Sequence, residues 1–163
     1  VLRVRPNQRG PLAPVPHCVD GTAGERKLRR TILTPHVDLG LRNSTDLPAD
    51  LFRSYRQVIF EMRHTDIFEH APTERLITEL PLATFVICGA GVAGGIVQAA
   101  IGLRSRGFGV ILAQDAVLDL GDPLADMALR RMDAKGVVFA PTSEIIAPKP
   151  RRKLHPFRAG ART

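Results

Sequence analysis

The chain has no tryptophan, one tyrosine and only 5% aromatic residues in all, so it lacks the basic-aromatic interleaving on which sequence-tolerant single-strand binding rests. It has two cysteines among 163 residues, Cys18 in a His-Pro-rich stretch and Cys88 at the end of an apolar run. Neither number nor spacing makes a disulfide framework, and a reducing interior, cytoplasm or organelle matrix, is the expected setting. No apolar run approaches the roughly 18 residues needed to cross a bilayer, and the opening VLRVRPNQRG has no signal-peptide core, so membrane insertion is not expected. No second pair of ligands stands at metal-binding spacing from His17 and Cys18, so no metal is expected.

What is present is 44% hydrophobic content, enough for one domain with a core of its own. The net charge of +7 is unevenly spread: residues 1–43 carry 8 basic and 3 acidic groups, residues 44–144 carry 9 and 13, and residues 145–163 carry 6 and 0. Residues 1–146 therefore read as the domain and residues 147–163 as a basic Pro/Arg-rich tail. Basic ends of this kind fit an acidic protein surface or RNA, and equally a solvated terminus.

Residues 1–5 alternate apolar and basic as a strand does, and four prolines up to Pro16 make the next stretch extended. Residues 31–51 are rich in Asn, Ser, Thr, Asp and Pro and read as surface, so little core is expected before Phe52. A β-favouring run lies in residues 55–60, and residues 66–80 have helical spacing entered through Pro72. Beyond residue 84 the alternation is regular: strand 84–88, helix about 93–106, strand 109–113, helix about 123–133, strand 137–140. That βαβαβ order predicts an α/β fold, a three-layer α/β/α sandwich around a mainly parallel sheet.

Gly89, Gly91 and Gly94 spell G-x-G-x-x-G between a strand and a helix, and Asp115 ends the next strand, the context of a dinucleotide-binding fingerprint. Under that reading the loop of Gly89, Ala90, Gly91, Val92, Ala93, Gly94 and Gly95 cradles an anion with its backbone amides, Asp115 contacts a ribose, and the cofactor is NAD or FAD. The small residues equally suit close helix-to-strand packing, and Asp115 a capping role. Cys88 is a weak candidate nucleophile, since a free cysteine closing a strand is most often a small core residue.

Other segments point elsewhere. Pro16-His17-Cys18-Val19-Asp20-Gly21-Thr22-Ala23-Gly24, then Val58 to Phe68 with Met62 before Arg63, then the glycine loop, the Arg106-Gly107-Phe108 turn, Asp115-Ala116 and Gly136 to Phe139 occur in one order. In these segments and their order the chain resembles the cysteine hydrolases of isochorismatase and nicotinamidase type, over residues 1–146. The resemblance implies an isochorismatase-like, Rossmann-like topology whose first strand and helix lie upstream of Val1, so that the chain reads as truncated with the missing strand supplied by another segment or chain. It also implies chemistry by a cysteine thiolate, a lysine and an aspartate. Gly95 stands at the nucleophile position and Met62 at the lysine position, and the aspartate has no counterpart. The expectation is a catalytically inactive member without cofactor, serving as a binding or scaffold subunit, as a homo-oligomer or in a larger assembly. His64, Asp66, Phe68 and Asp115 are the expected pocket-lining residues. The alternatives are dinucleotide binding, and an active hydrolase of small amides using Cys88.

Overall fold

Parallel strands buried by helices are what short apolar runs separated by amphipathic segments dictate, and the computed structural model has that architecture. It describes residues 18–41, 46–47 and 50–147. The strand expected in residues 1–5, His17 and the basic tail beyond residue 147 lie outside the described residues.

Strands β3 (Thr84–Ala90), β4 (Gly109–Leu118) and β5 (Val138–Ala140) form one parallel sheet in that order. Helices α3 (Val97–Ser105) and α4 (Ala125–Ala134) join them as crossovers. Val110 and Leu112 of β4 meet Val97, Ala100 and Leu103 of α3 and Ala128 and Met132 of α4, and this cluster is the core. Phe85, Ile87 and Phe139 pack against it from the neighbouring strands. The opposite face carries a row across all three strands, Val86 beside Ile111 beside Val138. Val86 and Val138 are 50% and 57% exposed, so this face is apolar and thinly covered.

The second sheet differs from expectation. Strand β1 (His36–Asp38) lies inside the stretch read as surface, and it pairs in parallel with β2 (Gln57–Ile59). Three residues with one apolar member carry too little pattern to announce a strand. Tertiary hydrogen bonds supply what the pattern lacks: the Gln57 amide group donates to the Thr31 carbonyl and accepts from the Leu33 amide, each at 3.0 Å. Among the described strands the two sheets are not hydrogen-bonded to each other. Among the described residues Leu51, which opens the short helix α1 (Leu51–Ser54), is the first buried hydrophobic residue.

A 3₁₀ turn (Ile67–Glu69) precedes α2 (Ala71–Glu79), which has proline in its first turn, as its sequence predicts. Asp66 starts the turn by accepting the Phe68 amide at 2.9 Å. The β4 strand continues past residue 113, because the β3–β4 register shifts at Cys88: Ile87 pairs with Leu112, and Gly89 next pairs with Val117. Gln114, Asp115 and Ala116 bulge into solvent before pairing resumes. The short helix α5 (Thr142–Ile146) follows β5.

Candidate functional site

The glycine loop connects β3 to α3, and its path explains its composition. Gly91 has φ +83°, a left-handed conformation that a side chain resists. Its amide donates to the Leu118 carbonyl at 3.0 Å, tying the loop to the far end of β4. The next residues, Val92–Ile96, make a wide turn of π-helical geometry in which Gly94 leaves helical dihedrals altogether, at φ −106° and ψ −112°. Val92 and Ile96 are buried beneath it. The Gly94 amide donates back to the Gly91 carbonyl at 3.1 Å. Two of the amides that a phosphate cradle would present are thus committed to the fold.

Around this loop lies a cavity of about 340 Å³ lined by Met62, His64, Cys88, Ala90, Gly95 and their neighbours Thr65, Ile67, Ile87, Ile96 and Ala99. The fold therefore brings together residues from the end of β2, the 3₁₀ turn, β3 and the start of α3. Met62 and Gly95, 33 positions apart, face the same space. Gly95 does not have a positive φ, and a Cβ there would meet only the Thr65 carbonyl, at an ordinary 3.5 Å. The backbone thus has room for a side chain that the sequence omits. Cys88 is exposed into this region.

A second cavity, of about 220 Å³, adjoins it through Met62 and His64 and is lined by Arg63, Asp66 and Glu69 among others. Arg63 pairs with Asp20 at 2.7 Å, with about 30% and 26% of their side chains exposed. This ion pair holds the Cys18–Gly24 segment against the end of β2. His64 stands 3.5 Å from Glu69, both well exposed.

The remaining expected pocket residues go elsewhere. Phe68 lies under the Arg106 guanidinium, 3.7 Å from ring centroid to charge, and packs on α3, because the 3₁₀ turn directs it into the core and away from both cavities. Asp115 caps α5: Oδ1 accepts the Thr142 amide at 2.8 Å and Oδ2 accepts the Thr142 hydroxyl at 2.7 Å. These two bonds, the hydroxyl's first, hold the Asp115 carboxyl below its ordinary range. Among the described residues no group of His, Cys, Asp and Glu is placed to hold a metal ion, and no helix is long and apolar enough to cross a membrane. The Arg63–Asp20 pair was not foreseeable, because nothing local marks two residues 43 positions apart as partners.

The family model of the isochorismatase domain matches residues 39–144, which take in β2, the three-stranded sheet and the cavity around the glycine loop. The chain belongs to the isochorismatase family. Solved structures show the same fold at low identity. A nicotinamidase from Bacillus subtilis is similar at 17% identity and TM-score 0.59, over 86% of this chain and 71% of that one. A protein from L. infantum, solved in complex with nicotinate, matches at 20% identity and TM-score 0.53, over 78% and 60%. A ribonuclease from Caenorhabditis elegans matches at 17% identity and TM-score 0.50, over 68% and 57%. The isochorismatase-family chain thus spans little more than half the length of the ribonuclease. No curated protein matches it by sequence.

Proposed function

We propose that this isochorismatase-family domain has lost hydrolase chemistry and works as a binding or scaffold subunit. The observation that carries the reading is that Gly95 and Met62 line one cavity. A thiolate mechanism needs a nucleophile and a cation that lowers its pKa, within reach of one substrate carbon. Glycine has no side chain and methionine no charge or proton, so the two positions where the resemblance expects these roles are both empty of them. A cavity of this size with a mostly apolar lining still suits a small ligand. The basic ends suit contact with RNA or an acidic protein in a reducing compartment, as a homo-oligomer or within a larger assembly.

Cys88 favours a second reading, since it opens onto the same cavity as His64. In that reading the chain hydrolyses small amides through Cys88. Dinucleotide binding through Gly89, Gly91 and Gly94 is less favoured, because Asp115 is occupied by Thr142 and two loop amides by the fold.

The deciding experiment follows ammonia release from nicotinamide and other small amides by the purified chain, before and after thiol alkylation. The expected result is no turnover in either sample. Turnover that disappears in Cys88→Ser would establish the hydrolase instead.

A further inference from the structure

A cavity lined by residues 26–29 of the basic segment lies apart from the glycine loop. It encloses about 570 Å³, within the range of small-molecule sites. Its floor is the end of the small sheet, where Asp38 and Ile59, the last residues of β1 and β2, are register partners. Crevices beyond the carboxyl ends of parallel strands are where open α/β sheets take their ligands.

Its wall comes from the basic segment. Arg26, Lys27 and Arg29 line the cavity, and none of them makes an ion pair among the described residues. The residues that follow the segment, Thr31 and Leu33, are hydrogen-bonded to Gln57 at the start of β2, which attaches its C-terminal end to the small sheet. Ile32 and Ile59 give the cavity apolar surface, and Ile59 is only 7% exposed. Asp38 spends Oδ1 on the Gly40 amide at 2.9 Å, which leaves Oδ2 to accept from a ligand. Glu61 also lines the space, so the site offers acceptors as well as cations.

Three cations, an apolar wall and a carboxylate acceptor in one cavity fit a ligand with an anion, a flat ring and hydrogen-bond donors. We propose that this cavity binds a nucleoside monophosphate, either free or as the phosphorylated end of an RNA strand. Arg26, Lys27 and Arg29 receive the phosphate, Ile32 and Ile59 pack on the base, and Asp38 accepts from its amino group or from the ribose hydroxyls. The site is independent of the Gly95 cavity and does not require the hydrolase chemistry to be absent.

The test is calorimetric titration of the whole chain with AMP, GMP and inorganic phosphate, and with an RNA hexamer carrying or lacking a 5′-phosphate. Both nucleotides are expected to bind more tightly than phosphate alone. Replacing Arg26→Gln together with Arg29→Gln should weaken them about tenfold or more, and Asp38→Asn a few fold. Unchanged circular dichroism certifies the fold of each variant, and Lys27→Gln, a single change at a half-buried position, gives the same readout if the double variant does not fold. Competition with AMP by the phosphorylated hexamer alone identifies an RNA end as the source of the nucleotide. Absence of competition by either hexamer identifies the free nucleotide. The proposal is overturned if no nucleotide binds at millimolar concentration, or if binding is equally tight in the Arg26 and Arg29 variant. Hexamer binding that ignores both the 5′-phosphate and these arginines overturns it as well.

Discussion

Replacing Gly102 with alanine should destabilise this domain, although alanine is the better helix former. Gly102 sits within α3, and a Cβ built there overlaps the Phe68 ring. A free ring would swing away at little cost, but this one is confined. Arg106 stacks on it at 3.7 Å, and the guanidinium is in turn fixed by Glu74 at 2.7 and 3.0 Å and by the Gly102 carbonyl at 3.0 Å. The helix gains about 0.5–1 kcal/mol from the substitution. Against that stand about 1–3 kcal/mol for forcing extra volume into packed surroundings and about 0.5–1 kcal/mol for a displaced cation–π contact. The net expectation is a loss of about 1–2 kcal/mol, or a fall of roughly 2–8 °C in Tm for a chain of this size. Urea and thermal unfolding measure it. The control is the same change in a Phe68→Ala background, where the obstruction is gone and alanine should be neutral or stabilising. A Gly102→Ala variant as stable as the parent, or a cost that survives removal of the ring, would refute the reasoning.

Three further outcomes are expected. The Asp115 carboxyl, lowered by the Thr142 hydrogen bonds, stabilises the fold at pH values above the ordinary aspartate pKa of 3.8, and that contribution fades as pH falls through its depressed value. Carbon-detected NMR titration should find Asp115 ionising below its ordinary value, and Thr142→Val should move it back up. Gly95→Cys should fold with a change in stability under about 1 kcal/mol, since the backbone leaves room for the Cβ, and should add one thiol titratable by a disulfide reagent. Arg63→Ala removes a partly buried, charge-assisted partner of Asp20 and should cost about 1–3 kcal/mol, with faster hydrogen exchange in residues 18–25.

How much of this was readable in the sequence depended on how far apart the cooperating residues stand. The β3–α3–β4–α4–β5 order was legible, because runs such as Phe85 to Ile87 and Val110 to Leu112 are apolar without interruption and the intervening helices keep their period. Strand β1 was not, since Val37 is its sole apolar residue and its support comes from Gln57 some twenty residues on. In the candidate site, Met62 and Gly95 were singled out by position and do share a cavity. Phe68 and Asp115 were placed in the pocket on the same grounds and are absent from it. Their partners, Arg106 for one and Thr142 for the other, lie 38 and 27 positions away, and only the folded chain reveals the attachment.

The bulge opposite Cys88 has a consequence for which insertions and deletions this fold accepts. Between consecutive pairings β3 advances by two residues and β4 by five, from Leu112 to Val117. Two is even and five is odd, so the side-chain parity of β4 inverts across the bulge while that of β3 is kept. Even-numbered residues Val110 and Leu112 face the core before it, and odd-numbered Val117 packs against the core after it. Removing one residue from 114–116 leaves an even advance of four, so plain alternation keeps Val117 inward and Leu118 outward with no inversion needed. Removing two leaves an odd advance of three, which turns Val117 outward unless one residue still bulges from the strand.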